Sequence, residues 1–450
     1  MITSRKETLL LIVGDAICFY AALFAALFLR YQEIPNSQLL SLHIVPFSIL
    51  FAIWLLVFFI AGLYEKQTTL LKRRLPGIIL NSQIVNSLIA ALFFYVVPAF
   101  VITPKTNLFL TLALSFIFVL YWRKRSQSLF QSRRRERALL IASGPEMREL
   151  ETEVNANPRY SFMFAKAIDL GETDAGRMSA EITRHMAEEP FTMIVADFTS
   201  DKLEPLLPEL YNLLFANVRL IDFQSIYEDI FSRVPLSLIG HSWFLENIST
   251  APKRTYDVLK RLVDIVAGTL LFIASIPFDI AAYIAIKLDD RGPAIIVQKR
   301  VGKNGAPLRI YKFRTMTAND SGEYDGDVAR ANKVTRVGSF LRKSRIDEFP
   351  QFWNVILGDL SLVGPRPELP PLADAYHQSV PYYRVRHLLK PGLSGWAQIY
   401  HENHPHHGKA VEETREKLSY DLYYVKNRSF PLDLKIILRT IQTLASRSGR

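Results

Sequence analysis

Long apolar stretches occupy most of the first quarter of the chain. Each is close to the ~20 residues that an α-helix needs to cross the hydrocarbon of a bilayer. The pattern predicts four transmembrane helices within residues 1–125. A cleaved signal peptide is the alternative for the first stretch, but Asp15 interrupts it and no small-residue cleavage site follows. The four stretches are Leu9–Leu29, Ile44–Leu63, Ile78–Ile102 and Leu108–Trp122.

Lysine and arginine collect on one side of these predicted spans. The loops assigned to the outside carry only Arg30 and Lys105. Because basic residues stay on the side that is not translocated, both the N-terminus and everything after Arg123 are expected in the cytoplasm of a multi-pass protein. The inner clusters are Arg5 and Lys6, then Lys66, Lys72, Arg73 and Arg74, then Arg123, Lys124, Arg125, Arg133, Arg134, Arg135 and Arg137.

Short apolar runs alternate with amphipathic stretches between residues 136 and 250. This alternation is typical of βαβ units over a parallel sheet, so an α/β, Rossmann-like cytoplasmic domain is expected. The first run ends in Ala142-Ser143-Gly144-Pro145, which has one glycine where a dinucleotide fingerprint needs three. We therefore expect this domain to bind no dinucleotide. The predicted strands are Ala138–Ala142, Phe162–Ile168, Met193–Ala196 and Val218–Ile221.

A fifth apolar run covers residues 260–288 and opens the C-terminal domain, residues 253–450. It contains Asp264, Asp279 and Pro277, and basic residues flank both ends. Pro277 predicts a kink, with Ser275 available to cover a freed carbonyl. Basic flanks on both sides favour a re-entrant segment, helix–break–helix, that returns to the cytoplasm. A full span and a buried core helix are the alternatives.

Composition narrows the function classes. The 450 residues carry 54 Lys plus Arg against 43 Asp plus Glu, a net charge of +11, and one cysteine. A single cysteine excludes a disulfide scaffold and any cysteine-based metal cluster. The basic balance suggests phosphates or anionic lipid as partners. Nucleic acid is not expected, because the basic residues lie at membrane flanks and loops without a recognition helix or an aromatic RNA platform.

The first chemistry-bearing motif is a predicted hairpin. Val301–Gly305 has the composition of a turn between strands Ile295–Arg300 and Leu308–Phe313, which places Lys312 and Arg314 at a strand end. Two cations there would suit phosphate oxygens. An exposed basic strand gives the same pattern.

A pair of adjacent carboxylates, Asp347 and Glu348, forms the second motif. Pro350 is tolerated only in a first helical turn, so a helix is predicted from Asp347 to about Leu357. The positive end of the helix dipole then lowers both pKa values, which favours an ionised nucleophile and a metal ligand. An N-cap aspartate beside a surface glutamate is the alternative. The neighbouring cations Arg342 and Arg345 favour a functional role for the carboxylate pair over a capping role.

Two rigid loops follow. Gly364, Pro365 and Pro367 hold Arg366 at a set angle, which suits bidentate contact with phosphate. The second loop, Lys390–Gln398, comes after Arg386 and offers backbone N–H groups and an indole face. Turn architecture alone would also explain it. A helix over Val411–Lys426 and a final amphipathic segment from Asp433 complete the chain.

These motifs, in this order after an apolar segment, resemble the bacterial sugar transferase family, the monotopic polyprenyl-phosphate hexose-1-phosphate transferases. The resemblance covers about Lys253–Thr443. The four spans and the Rossmann-like domain are similar to the long-form members, which implies a mainly helical α+β catalytic domain and a homodimer. Three features depart from the family pattern: Ile276 separates Ser275 from Pro277, Ser394 stands where threonine is usual, and the stretch Tyr400–His407 does not match a common family pattern.

The resemblance implies that a hexose 1-phosphate passes from a UDP-sugar to undecaprenyl phosphate, releasing UMP, at the bacterial inner membrane. This is the first membrane step of exopolysaccharide, capsule or O-antigen (lipopolysaccharide) synthesis. It further implies that Asp347 forms a covalent phosphosugar intermediate, with Mg²⁺ held by Asp347 and Glu348. Lys312 and Arg314 would complete the catalytic set, and Arg342, Arg366 and Arg386 would bind phosphate. The nucleotide-sugar pocket would comprise Pro391, Gly392, Gly395, Trp396 and Gln398.

Two other functions compete with this hypothesis. One is a membrane-anchored, NAD-dependent epimerase or dehydratase, against which the missing glycines argue. The other is a non-catalytic scaffold or transporter, which leaves the carboxylate pair without a purpose. A zinc site in the histidine-containing stretch Tyr400–His407 is disfavoured, because the spacing is not that of a metalloprotease helix and Pro405 breaks helical geometry. An exposed loop is expected there.

Overall fold

The computed structural model describes residues 4–64, 75–96, 105–131, 135–157, 160–171, 191–248, 253–317, 333–400 and 411–445. The chain forms two compact units, Met1–Asp229 and Ile230–Arg450. The first contains the four N-terminal apolar stretches and a parallel sheet. The second contains the motifs of the C-terminal domain.

Each N-terminal apolar stretch contains one long helix, as predicted, and residues 97–102 of the third stretch lie outside the described ranges. By length and composition, five helices among the described residues are able to cross a membrane: these four and one helix of the second unit. The four are α1 Ser4–Tyr31, α2 Ser37–Ile60, α3 Leu75–Val96 and α4 Lys105–Gln131.

Polar groups inside these helices pair with one another. Asp15 of α1 forms an ion pair of 2.5 Å with Arg123 of α4 and accepts a hydrogen bond of 2.9 Å from the Tyr64 hydroxyl. His43 of α2 is hydrogen-bonded to Asn107 of α4 at 3.0 Å. An unpaired charge in hydrocarbon is costly, so these pairs let charged residues lie in apolar segments. The aspartate that interrupts the first apolar stretch is a contact between helices.

A four-stranded parallel sheet with strand order β2-β1-β3-β4 follows, and each predicted strand is present in it. Helices follow β1, β3 and β4, as expected of an α/β unit. The connection between β2 and β3 includes residues 172–190, which lie outside the described ranges. The elements are β1 Glu136–Ala142, α5 Pro145–Ala156, β2 Phe162–Asp169, β3 Met193–Ala196, α6 Leu207–Leu214, β4 Arg219–Asp222 and α7 Phe223–Phe231.

The second unit is mainly helical, with two small sheets. Its first sheet is the predicted antiparallel hairpin β5–β6, and its second is a parallel pair, β7–β8. The elements are α8 His241–Asn247, α9 Arg254–Asp290, β5 Ile295–Val301, β6 Pro307–Phe313, α10 Arg336–Ser344, α11 Gln351–Leu357, β7 Ser361–Val363, α12 Pro370–Ser379, β8 Gly392–Ser394, α13 Trp396–Tyr400, α14 Val411–Asn427 and α15 Phe430–Ala445.

Residues 230–248, which the sequence pattern places with the α/β domain, pack within the second unit. The backbone N–H of Val234 donates to the carbonyl of Ser419 in α14 at 3.1 Å. Trp243 of α8 is buried in one apolar cluster with Leu418 and Leu422. The polypeptide preceding α9 is therefore part of the same core as the C-terminal helices.

Helix α9 carries two different faces. One face packs on the rest of the unit along most of the helix, and its members follow the 3–4-residue spacing of a helical stripe. On this face Gly268 lies against Val355, and both Ala282 and Ile286 are buried. The opposite face exposes large apolar side chains, including Val258, Leu262, Val266, Leu270, Ile273, Ile280, Ile284 and Leu288.

The break predicted at Ser275–Pro277 does not interrupt the helix, because α9 is helical from Arg254 to Asp290. The Ser275 hydroxyl lies 2.8 Å from the carbonyl of Phe272 and 2.7 Å from a carboxylate oxygen of Asp279. Ser275 and its two partners therefore lie within two helical turns of Pro277, which has no backbone N–H to donate. The predicted helix–break–helix is therefore one continuous helix at this position, and the kink at Pro277 stays a prediction.

The backbones at the parallel strands β7 and β8, and at the glycines that follow them, approach so closely that only glycine fits. A Cβ added to Gly392 would lie 2.1 Å from the backbone nitrogen of Gly364, and one added to Gly364 would lie 2.5 Å from the carbonyl oxygen of Lys390. At Gly395 the closest atom, 2.5 Å away, would be the carbonyl oxygen of Gly364. The two glycine-containing loops predicted from sequence are therefore one structure.

We expect Gly392→Ala to force the two strands apart. Overpacking of this kind costs about 1–3 kcal/mol of unfolding free energy. Thermal unfolding of the purified full chain in detergent should show a lower transition temperature. Gly240→Ala is the matched control, because the nearest atom to its Cβ would be 4.0 Å away. Equal transition temperatures for both variants would contradict the close backbone approach at Gly392.

Candidate active site

The carboxylate pair lies in a single 3-10 turn, Ile346–Glu348, between α10 and α11. Arg345 enters this turn with φ of +59°, in the left-handed region that side chains rarely adopt. Pro350 precedes the first residue of α11, so the α-helix begins at Gln351 and not at Asp347. Its C-terminal end at Leu357 is as predicted.

Glu348 is surrounded by cations. One carboxylate oxygen lies 3.1 Å from Arg366 and 3.7 Å from Lys312, and the other lies 3.9 Å from Arg345. Burial alone would raise the pKa of Glu348, but Arg366, Lys312 and Arg345 outweigh it and lower that pKa to about 2. Glu348 is therefore ionised, and it holds three basic side chains in one place.

The pKa of Asp347 is shifted in the opposite direction. Its Oδ1 is buried and has no hydrogen-bond partner among the residues that the structure describes. Burial, and then the charge of Glu348, raises its pKa to about 6, while Lys312 and Arg342 act in the opposite direction. The predicted lowering by a helix dipole is wrong for Asp347, because desolvation dominates and the α-helix begins further along the chain.

Lys312 reaches this site from the end of β6. Asn354 of α11 fixes the register: its amide nitrogen donates to the carbonyl of Arg309 at 2.7 Å and its amide oxygen accepts from the N–H of Tyr311 at 3.1 Å. Burial, opposed by Glu348, lowers the pKa of Lys312. Sequence reasoning missed Asn354. The signal for a structural role was the polar Asn354 itself, which stands between Trp353 and an apolar valine in a short helix.

Arg342 and Arg314 occupy different places. Arg342 projects from α10, donates to the Thr315 hydroxyl at 2.8 Å, and is close enough to Asp347 to affect its pKa. Arg314 is buried and donates to the carbonyl of Pro293 at 2.7 Å, in the turn that joins α9 to β5. The structure therefore brings Arg342 to the carboxylate pair, and the catalytic role of Arg314 stays a prediction.

Arg386 is buried, and several protein groups hold its guanidinium. It contacts a carboxylate oxygen of Asp421 at 2.8 Å, donates to the Tyr383 hydroxyl at 2.7 Å, and donates to the backbone carbonyl of Arg366 at 3.0 Å. This geometry fixes the backbone of Arg366 through Arg386, and the contact of Arg386 with phosphate stays a prediction.

The Pro391–Gln398 loop supplies structure close to the site. The carbonyl of Pro391 accepts a hydrogen bond of 2.9 Å from the backbone N–H of Ser361, which helps to pair β8 with β7. Trp396 is 1% exposed, donates its indole N–H to the carbonyl of Ser232 at 2.7 Å, and stacks on Tyr423. Its ring is therefore covered by protein and offers no open face to a nucleotide. The Oε1 of Gln398 is buried without a hydrogen-bond partner among the described residues.

In the sequence, Arg345 is only one of the cations close to the carboxylate pair. The structure places it in the group around Glu348, and the i, i+3 spacing of the two residues was the available signal. The predicted histidine loop after Tyr400 cannot be compared in this way, since residues 401–410 lie outside the described ranges.

Comparison with known proteins gives a consistent result. Residues 255–447 match the family model described as bacterial sugar transferase. A UDP-N-acetylgalactosamine-undecaprenyl-phosphate N-acetylgalactosaminephosphotransferase of Aeromonas hydrophila is 37% identical over 265 residues, which are 58% of this chain and 60% of that protein. The match thus spans less than two thirds of that relative.

Two shorter relatives are matched over more of their length. A UDP-glucose:undecaprenyl-phosphate glucose-1-phosphate transferase of Caulobacter vibrioides is 42% identical over 43% of this chain and 72% of its own. An exopolysaccharide production protein of Rhizobium leguminosarum is 36% identical over 42% of this chain and 96% of its own. With the carboxylate pair and its cations in place, these matches show that the chain belongs to the bacterial sugar transferase family.

Proposed function

We propose that this protein transfers a sugar 1-phosphate from a UDP-sugar to undecaprenyl phosphate and releases UMP, in the synthesis of a surface polysaccharide. The printed names of the relatives describe this class of reaction for those proteins. Family membership favours this function over the dehydratase and scaffold alternatives. Exopolysaccharide is the best supported product, because the Rhizobium relative is named for its production.

The open oxygen of Asp347 is the observation that carries the proposal. It is a buried carboxylate oxygen without a hydrogen-bond partner among the described residues, and Lys312, Arg342 and Arg345 are near enough to affect its pKa. Phosphoryl transfer depends more on alignment and charge neutralisation than on acid–base help. The site provides both a nucleophile and cations for phosphate oxygens.

In the first step, a carboxylate oxygen of Asp347 attacks the β-phosphorus of the UDP-sugar. A bond forms between that oxygen and phosphorus, the bond from the β-phosphorus to the bridging oxygen breaks, and UMP leaves with the bridging oxygen. In the second step, a phosphate oxygen of undecaprenyl phosphate attacks the same phosphorus and the carboxylate of Asp347 leaves. The product is a lipid-linked diphosphate sugar. Arg366, fixed by Glu348 and Arg386, neutralises charge in both steps.

A magnesium ion fits this site when substrate phosphates share its coordination. Within the described ranges, no group of three or more His, Cys, Asp or Glu side chains is placed to hold a metal. Mg²⁺ is commonly bound by one or two carboxylates together with substrate phosphates. Asp347 Oδ1 is open, and Glu348 Oε2 has the longer ion pair, 3.9 Å, with Arg345. When bound there, Mg²⁺ would neutralise the diphosphate.

We further propose that α9 inserts its exposed apolar face into one leaflet without crossing the bilayer, so that its two ends and the catalytic unit stay on the cytoplasmic side. Contacts with the unit extend from Asp264, which accepts from the N–H of Leu362 at 3.0 Å, to the buried Ile286. At ~1.5 Å per residue this stripe is about as long as the ~30 Å hydrocarbon is thick. A perpendicular span would place the packed unit inside hydrocarbon. The bacterial inner membrane and a homodimer stay predictions.

The nucleophile assignment is tested with Asp347→Asn. We expect at least about a 10³-fold loss of UMP release, because the amide is a very weak nucleophile. The assay uses the purified full chain, UDP-hexoses, undecaprenyl phosphate and Mg²⁺. Asp359→Asn, at an exposed aspartate of the same unit, is the matched control and should retain the parent rate. Near-parental turnover by Asp347→Asn would exclude it as the nucleophile.

The positioning of Arg366 is tested with Arg386→Lys. Lysine keeps the charge but cannot contact Asp421, Tyr383 and the Arg366 carbonyl together. We expect about 10- to 100-fold slower UMP release, since a displacement of about 1 Å can cost that much. Arg384→Lys makes the same change at an exposed neighbour and should leave the rate unaltered. If the two variants turn over equally fast, Arg386 does not position Arg366.

Metal dependence is tested by removing Mg²⁺ with EDTA. UMP release should stop, and added Mg²⁺ should restore it, because the diphosphate would otherwise keep its charge near Glu348. The unfolding temperature should change little without substrate, since the proposed coordination needs substrate phosphates. Undiminished release in EDTA would show that the basic side chains alone suffice.

A further inference from the structure

A second positively charged pocket lies in the Ile230–Arg450 unit. Its volume is about 500 Å³. The residues that line it do not include Asp347, Glu348, Lys312 or Arg366, so it is separate from the carboxylate pair. Its basic wall residues are Lys260, Arg261, Lys303, Lys390 and Arg428, and its acidic ones are Asp257 and Asp264.

The two acidic residues already have partners. Asp257 forms an ion pair of 3.7 Å with Arg428. Asp264 accepts hydrogen bonds from the Ser361 hydroxyl at 3.1 Å and from the backbone N–H of Leu362 at 3.0 Å. Asp257 is thus paired with Arg428, whereas Asp264 keeps its charge and offsets part of the positive charge around Lys390.

Two of the remaining basic groups also have partners. Lys260 forms an ion pair of 2.9 Å with Asp433, which is not a wall residue. Arg261 donates to the carbonyls of Val355 and Ile356, at 2.8 and 2.7 Å, at the C-terminal end of α11. These bonds hold Arg261 in place but do not cancel its charge.

Lys303 and Lys390 are left. Neither ammonium group has an ion pair or hydrogen bond with a residue in the described part of the chain. Burial, and then Arg261, lowers the pKa of Lys390; Asp264 opposes this shift, Lys303 adds to it, and Asp359 opposes it. The five basic wall residues outnumber the acidic wall residues Asp257 and Asp264 together with Asp433, and this excess of positive charge favours an anion.

The pocket is too large for a small inorganic anion alone, and part of its wall is apolar. Ile248, Leu388, Leu389 and Val425 contribute this part. We propose that the pocket binds a phosphate monoester, with the phosphate between Lys303 and Lys390 and the organic body against the apolar wall. Two sources share this chemistry: the headgroup of a membrane lipid and a soluble nucleotide.

The position of the pocket suggests what binding does. Wall residues Val363 and Lys390 directly precede the Gly364–Glu368 and Pro391–Gln398 loops. A ligand there would restrain both loops at the point where their backbones are in contact. The first turns of α9 also form the wall, and their neighbours Val258 and Leu262 are exposed apolar residues. This favours the lipid source.

The test uses the full chain in phosphatidylcholine nanodiscs without nucleotide sugar, so its result is independent of the proposed reaction. One arm adds phosphatidic acid to the bilayer and counts the lipids retained by native mass spectrometry. The other arm titrates adenosine monophosphate by calorimetry. All chains in both arms carry Asp347→Asn. The double variant adds Lys303→Glu and Lys390→Glu. The matched control reverses the exposed lysines Lys299 and Lys343 instead.

The parent and the control should bind in at least one arm, and the double variant at least about tenfold more weakly, since each lost charge-assisted bond is worth about 1.5–3 kcal/mol. Binding of phosphatidic acid alone assigns the lipid source, and binding of the nucleotide alone assigns the soluble one. If the double variant unfolds at a lower temperature than the control, Lys303→Gln with Lys390→Gln replaces it. Binding in neither arm, or equal binding by all chains, would overturn the proposal.

Discussion

The site depends on the charge balance at Glu348. Two adjacent carboxylates repel, and both lose hydration when they are buried. Here Glu348 takes Arg366, Lys312 and Arg345 as partners, which keeps its pKa near 2, and Asp347 keeps an open oxygen and a pKa near 6. Neighbouring residues with the same chemistry thus acquire different roles. Glu348 organises the cations, and Asp347 is the nucleophile of the proposed reaction.

The rest of the unit holds this balance in place. Asn354 fixes the strand that presents Lys312, and Arg386 fixes the backbone of Arg366. The close backbone approach of Gly364 to Gly392, beside β7 and β8, sets where the loop that carries Arg366 begins. Helix α9 joins this scaffold to the membrane, because one of its faces packs on the unit and the other is apolar and exposed. Geometry at the carboxylate pair therefore depends on residues far from it in sequence.

Elements with strong local signals were predictable from sequence. The four spans, the strands of the parallel sheet and the β5–β6 hairpin are where the hydrophobic pattern places them. The state of Asp347 was not predictable, because its pKa depends on burial by residues distant in the chain. Trp396 and Arg386 show a related limit. A motif residue looks the same in sequence whether it touches a ligand or supports a loop, and only the packing distinguishes the two roles.

The most direct test of the central claim is to look for the phosphosugar on Asp347. The full chain is incubated with Mg²⁺ and a UDP-sugar labelled at the β-phosphate, without undecaprenyl phosphate, and the peptide that carries the label is identified by mass spectrometry. We expect the label on the peptide containing Asp347, lost again when the lipid acceptor is added. An enzyme that releases UMP in the presence of acceptor but never carries label on Asp347 would contradict the covalent mechanism.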